Sequence, residues 1–113
     1  MREQRKERRL PEEDKVVLSF PAGDAAPPLI ALTRDISPGG VRLLAGVPAP
    51  LGARVRLEIA LTGSRRLFRG AGRVCWVNRL YGDSVFEMGL EFVGNDPEGI
   101  GVILQHVYGR HAV

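Results

Sequence analysis

The segment ARVRLEIAL, residues 53–61, alternates large apolar side chains with arginine, glutamate or alanine over four repeats. Successive side chains of a β-strand point to opposite faces of its sheet, so a period of two places all the apolar groups on one face. The apolar positions here are Val55, Leu57, Ile59 and Leu61. The segment is therefore predicted to be a strand with one buried and one solvated face.

Two more long segments have the same character. FEMGLEFVG, residues 86–94, places large apolar side chains at every second position. RLFRGAGRVCWVN, residues 66–78, sends Phe68, Val74 and Trp76 to one side, which favours a core position for the indole over a surface position where it would stack on a base. Gly70 and Gly72 mark places where this strand is expected to bend or bulge.

Three shorter apolar runs precede these segments. They are KVVLSF at 15–20, PLIALTRDI at 28–36 and GGVRLLA at 39–45, and proline-rich loops at 21–28 and 47–52 bound them. About six strands at this spacing are typical of a small all-β barrel or sandwich.

The hydrophobic period changes to that of a helix near the C-terminus. Asp96 is a suitable N-cap and Pro97 a suitable first helical residue. An apolar stripe at helical spacing is expected to cover an open end of the strand assembly, with His106 on the polar side. The stripe consists of Ile100, Ile103, Leu104, Val107 and Tyr108.

Length, charge and cysteine content limit the class of protein. A chain of 113 residues fits one domain with one core. Its formal charge of +3 arises entirely within residues 1–9, which hold five bases and two acids. No apolar run approaches the ~20 residues of a membrane span, and no apolar h-region follows the charged N-terminus. With Cys75 as the one cysteine, the expected location is the cytoplasm.

Catalytic and metal-binding patterns are not evident. His106 and His111 have no cysteine or second acid placed to complete a set of metal ligands. Neither Ser37 nor Ser84 has a histidine at a sequence spacing that would indicate a catalytic pair. Cys75 lies in an apolar strand and is predicted to be a packed thiol. The chain is predicted not to be an enzyme and to carry no metal or cofactor.

The stretch RDISPGGVR, residues 34–42, combines an acid, a hydroxyl, a proline and two glycines. Chain reversal explains the proline and glycines, because they adopt the backbone angles of a turn. The side chains of Asp35 and Ser37 either cap the amides of the turn or contact a ligand.

Two motifs give this stretch a context. Arg5 and Arg9 satisfy R-x-x-x-R within RKERR, and Asp35, Ser37 and Gly40 satisfy D-x-S-x-x-G about 25 residues later. In this order, and followed by barrel strands, the pair resembles the PilZ domain family. GRVCWV is similar to the family's V-x-W-V strand and MGLEF to its G-[VL]-x-F strand.

The resemblance covers essentially the whole chain. It implies a single PilZ domain with a flexible basic arm at 1–13, a six-stranded antiparallel β-barrel at 15–94 and an α-helix at 96–109. It also implies that the protein binds cyclic diguanylate (c-di-GMP), a bacterial second messenger. The body of the chain beyond residue 9 is formally neutral, so the arm brings the excess cationic charge.

The chemistry of this ligand matches the residue types of the motifs. Two phosphates and two guanine O6/N7 edges suit arginine forks, and the guanine N1 and N2 donors suit a carboxylate. By resemblance, the arginines take the first role and Asp35 the second, while a hydroxyl adds a contact and a glycine admits close approach. The implied ligand residues are Arg5, Arg8, Arg9, Asp35, Ser37 and Gly40. Arg34 is either a surface strand residue or a further contact.

A receptor of this type implies an effector protein as a second partner, with no membrane insertion and no DNA or RNA. Two alternatives stay open. One is a PilZ-like interaction module that has the fold but binds no nucleotide. The other is a general nucleic-acid binder, which the small number of aromatic side chains disfavours.

Overall fold

Strands make up most of the computed structural model, which describes residues 9–21, 27–82 and 84–109. The elements in chain order are β1 Leu10–Pro11, β2 Lys15–Ser19, β3 Leu29–Ser37, β4 Gly40–Ala45, β5 Arg54–Leu61, β6 Arg66–Leu80, β7 Val85–Phe92 and α1 Pro97–Gly109. The all-β class predicted from the alternation is confirmed.

Six of the strands close into an antiparallel barrel. The order around it is β3, β2, β5, β6, β7 and β4, and β4 pairs back onto β3. Closure pairs the backbone groups that an open sheet would leave exposed at its edges. The predicted six-stranded antiparallel barrel is therefore confirmed.

A seventh, short strand lies outside the barrel. Strand β1 pairs with β3, with Leu10 opposite Ile36 and Pro11 opposite Asp35. These two residues belong to the segment predicted as a basic arm. Their pairing fixes the position of Arg9 beside the end of β3.

The barrel interior follows the alternation read from the sequence. Along β5, every second residue is buried and the residues between are exposed. The partly buried Phe92 packs against the core residue Phe68, with the ring centroids 5.1 Å apart. A continuous apolar core of this kind stabilises the barrel through the surface it removes from water.

Helix α1 closes one end of the barrel, but with a different face from the one expected. Asp96 caps it as predicted, because its Oδ1 accepts a hydrogen bond from the Gly99 amide at 2.8 Å. The buried residues are Ile103, His106 and Val107, and the apolar residues Ile100, Leu104 and Tyr108 are each more than 40% exposed.

The prediction that His106 lies on the polar side of the helix is therefore wrong, since its ring is buried. Ile103 and Val107 belong both to the predicted apolar stripe and to the face that is buried. Periodicity alone therefore does not show which of the two faces packs against the barrel. The choice is made by polar partners that satisfy the imidazole inside the protein. Within the described residues, no helix combines the length and apolar character needed to span a membrane.

Candidate ligand-binding cleft

A bulge in β3 places Asp35 on the outer surface of the barrel. Ala31 and Ile36 both belong to the core although they are five positions apart, a spacing that puts residues of a regular strand on opposite faces. The register against β4 shifts between Thr33 and Asp35, which leaves Arg34 as the extra residue. The bulge therefore turns Asp35 outward.

A second bulge, in β6, does the same for Trp76. Val74 pairs with Leu90 and Trp76 pairs with Gly89, so Cys75 is the extra residue. Val74 is in the core, and regular alternation would bring the indole there too. Instead the indole lies across Gly89, where an added Cβ would be 2.2 Å from Trp76 Nε1.

Two expectations about this strand are corrected. Trp76 is half-buried on the outside of the barrel and is not part of the core, and Cys75 is exposed and is not a packed thiol. The position of the bulge differs as well. The glycines Gly70 and Gly72 were expected to mark it, but it lies at Cys75.

The two bulges bring four outward-facing residues into one row across four strands. Asp35 of β3 pairs with Arg42 of β4, Arg42 with Gly89 of β7, and Gly89 with Trp76 of β6. This row borders a cleft of about 210 Å³ between the β3–β4 turn and the outer faces of β6 and β7. It is lined by Arg9, Ser37, Gly39, Gly40, Val41, Arg42, Cys75, Trp76, Gly89, Leu90 and Glu91.

An ion-pair network borders the cleft. Arg9 donates from Nη1 to Asp35 Oδ1 at 2.7 Å, and Arg42 donates from Nε to Asp35 Oδ2 at 2.8 Å and also from Nη2. Arg42 Nη1 lies 4.0 Å from Glu87 Oε2, which accepts from Arg34 Nη1 at 3.0 Å. Three guanidinium groups face two carboxylates, so the network carries an excess positive charge that suits an anionic ligand.

The arginines keep Asp35 ionised. Burial by itself would raise the pKa of this carboxyl, but the hydrogen bond and charge of Arg42, together with those of Arg9, outweigh it and lower the pKa below its usual 3.8. In turn, the hydrogen bond to Asp35 raises the pKa of Arg42. Asp35 is thus a buried, charged acceptor at neutral pH.

This lowered pKa predicts how stability depends on pH. A group whose pKa falls on folding stabilises the protein above its unfolded pKa, and that contribution is lost as the pH drops through the folded value. Urea unfolding of wild type and Asp35→Asn should therefore show a constant stability difference above pH 5 that shrinks below about pH 4. A difference that stays constant or grows in acid would contradict it.

The structure brings together four of the six predicted ligand residues. Arg9 contacts Asp35 directly, and Arg9, Ser37 and Gly40 line the cleft. Ser37 is buried, with Oγ 3.4 Å from the Gly40 carbonyl oxygen. Arg5 and Arg8 lie outside the described residues. Arg34 is half-exposed at the β3 bulge and contacts Glu87.

Gly40 has a structural role in the barrel in addition to its place in the D-x-S-x-x-G motif. An added Cβ would lie 2.1 Å from the Leu90 carbonyl oxygen and 3.1 Å from Glu91 Cα, both in the backbone of β7. The absence of a side chain is thus required by the barrel itself, where β4 and β7 approach closely.

A family comparison agrees with this arrangement. The family model described as the PilZ domain matches residues 3–109, which include both motifs, all seven strands and the helix. The chain belongs to the PilZ domain family. No curated protein matches its sequence.

Solved PilZ structures have the same fold. The Bacillus subtilis inhibitor of motility MotI/DgrA superposes with a TM-score of 0.77 at 19% identity, over 97% of this chain and 52% of that one. The PilZ domain of Escherichia coli YcgR with c-di-GMP gives 0.72 at 16% identity, over 97% and 95%. The MrkH–c-di-GMP complex of K. pneumonia gives 0.67 at 16%, over 91% and 50%. The chain thus spans about half of MotI and MrkH and nearly all of the YcgR domain.

Three residues beside the PilZ motifs were missed by sequence reasoning. Arg42 and Glu87 belong to the ion-pair network, and Trp76 was assigned to the core. A signal for Arg42 was present, since it is the one charged residue in GGVRLLA and stands at an outward position of the alternation. The bulge that exposes Trp76 has no comparable signal in the sequence.

Proposed function

We propose that this PilZ domain is a cytoplasmic c-di-GMP receptor that uses its R-x-x-x-R arm and its D-x-S-x-x-G turn. The observation that carries the proposal is the 2.7 Å contact between Arg9 and Asp35, which joins the two motifs across 26 residues of sequence. The contact lies at a cleft with excess positive charge. The YcgR and MrkH complexes with c-di-GMP, which share the fold, support the same ligand.

The geometry suggests how the ligand is held. In the absence of ligand, both oxygens of Asp35 are occupied by Arg9 and Arg42. The N1 and N2 donors of a guanine that bind Asp35 would displace one or both guanidinium groups. A released guanidinium is then free to pair with a phosphate or with a guanine O6/N7 edge. Binding is therefore an exchange of hydrogen-bond partners around a fixed carboxylate.

The size of the cleft assigns a role to the arm. At about 210 Å³ the cleft is smaller than the roughly 300–1,000 Å³ of most small-molecule sites, so it holds only part of a dinucleotide. We assign the remaining contacts to Arg5 and Arg8, which lead into Arg9. The half-buried indole of Trp76 offers an apolar surface to the base. Closure of the arm would change the surface presented to an effector protein.

Removal of the Arg9 side chain tests the proposal. Calorimetric titration with c-di-GMP should give binding to wild type and at least about tenfold weaker binding to Arg9→Ala, because one charge-assisted hydrogen bond contributes about 1.5–3 kcal/mol. Arg56→Ala, which removes an exposed arginine of β5, is the matched control and should bind normally. The same titration gives the number of ligands bound per chain.

Two outcomes would oppose the proposal. Folded wild-type protein that produces no heat with c-di-GMP would favour the alternative of a PilZ-fold interaction module that binds no nucleotide. Equal binding by Arg9→Ala and Arg56→Ala would show that the first motif does not contact the ligand.

A further inference from the structure

Three side chains of the types that ligate metal ions lie close together at the end of the barrel that α1 closes. Glu12 and Asp14 lie between β1 and β2, and His106 lies on α1. One ligand atom from each lies within 4.8 Å of the others. Asp14 and His106 are each 1% exposed, and the Glu12 side chain is 10% exposed. This cluster is separate from the cleft and has no part in the proposed c-di-GMP site.

The hydrogen bonds of His106 direct one ring nitrogen toward the acids. His106 Nδ1 lies 2.7 Å from the Ser64 hydroxyl, which is able to donate to this nitrogen or to accept from it. The other ring nitrogen, Nε2, lies 3.0 Å from Glu12 Oε2 and 3.2 Å from Glu12 Oε1. This approach of Nε2 to a carboxylate requires either a proton on Nε2 or a metal ion bound to it.

Asp14 distinguishes between these two. Its Oδ1 accepts from the Thr62 amide at 3.1 Å and from Thr62 Oγ1 at 2.7 Å. Its Oδ2 is buried and, within the described part of the chain, has no hydrogen-bond partner. A proton on His106 Nε2 would serve Glu12 but would leave Asp14 Oδ2 without a partner. A buried carboxylate oxygen that lacks a hydrogen bond is unfavourable, whereas a divalent cation would bind an oxygen of both carboxylates.

We propose that Glu12, Asp14 and His106 bind a divalent transition-metal ion such as Zn²⁺. The ligands would be His106 Nε2 and one oxygen from each carboxylate, a donor set that suits zinc. Tetrahedral zinc with bonds of about 2.0–2.2 Å needs ligand atoms about 3.4 Å apart, so side-chain rotation has to shorten the longest separation by up to about 1.4 Å. In this arrangement His106 Nδ1–H donates to Ser64 Oγ, and this hydrogen bond orients the ligating imidazole.

The ion would link two elements that are distant in sequence. Glu12 and Asp14 follow Arg9 and β1 closely, and His106 is in the last turns of α1. A bound ion would therefore fasten the root of the arginine-bearing arm to the C-terminal helix. Metal binding that stabilises the folded state raises the melting temperature.

Zinc titration of the metal-free chain tests this site. The full chain carrying Cys75→Ser is used, because the exposed thiol of Cys75 is itself a zinc ligand. After chelator treatment and without nucleotide, it should bind one Zn²⁺ per chain and show a higher melting temperature. Adding Asp14→Asn or His106→Gln should weaken zinc binding at least about 100-fold. Adding Glu58→Gln, an exposed acid of β5, should leave it unchanged.

Each outcome of the titration is informative. Folded Cys75→Ser protein that takes up no zinc would show that the cluster is only a buried ion pair. Unchanged uptake in Asp14→Asn would place the zinc elsewhere, for example at His111. If either variant fails to fold, the histidine ring ¹⁵N resonances of Cys75→Ser decide. A zinc-induced shift at His106 Nε2 supports the site, and a shift confined to His111 overturns it.

Discussion

Replacing Gly40 with alanine is expected to destabilise the barrel by about 3 kcal/mol, which is large for the addition of one methyl group. The added Cβ would stand 2.1 Å from the Leu90 carbonyl oxygen. That oxygen belongs to the β7 backbone, so no side-chain rotation relieves the contact. Strands β4 and β7 have to separate at the pair Gly40–Glu91, which is next to the cleft.

Urea unfolding measures this effect directly. Gly46→Ala is the matched control, because an added Cβ there has no atom within 4 Å. It should be neutral or stabilise by up to about 1 kcal/mol, since alanine reduces the conformational entropy of the unfolded chain. If both variants unfold at the same urea concentration, the close approach of β4 to β7 does not determine this glycine. A Gly40→Ala protein of normal stability that fails to bind c-di-GMP would instead indicate that the residue acts in the ligand site.

For the proposed c-di-GMP receptor, replacing Asp35 with asparagine is expected to weaken ligand binding at least about 100-fold. The carboxylate offers two acceptor oxygens to guanine N1 and N2, whereas an amide offers one acceptor and turns a donor toward the base. Loss of two charge-assisted bonds, at about 1.5–3 kcal/mol each, exceeds a factor of 100. Arg9 and Arg42 would also lose the anion that positions them.

The experiment compares Asp35→Asn with Glu58→Gln, which makes the same acid-to-amide change at an exposed site on β5. Calorimetry with c-di-GMP should show wild-type affinity for Glu58→Gln. Folding of Asp35→Asn is checked by circular dichroism at pH 7, because this variant also loses its ion pairs. A folded Asp35→Asn protein with wild-type affinity would remove Asp35 from the ligand site.

Local patterns predicted much of the fold because their signals reside in adjacent residues. The alternation in β5 depends on side-chain direction along one strand, and the structure has the predicted buried positions there. The helix start depends on Asp96 and Pro97 alone, and the cap is present. The two motifs of the family were likewise readable, and the structure brings Arg9 and Asp35 together.

Tertiary pairing decided the rest. Nothing in the sequence marks Arg34 and Cys75 as bulge residues, because a bulge depends on the register of a neighbouring strand. The bulges reverse the face of every later residue, and this places Asp35 and Trp76 on the outer surface.

The sequence by itself thus determined the six barrel strands, the helix cap and the two motifs of the family. Only the tertiary structure decided which faces they present and which distant groups meet, as Glu12, Asp14 and His106 do. The physical reason is that periodicity records the direction of side chains within one element. The partners of a side chain depend on register and on packing between elements, which neighbouring residues do not encode.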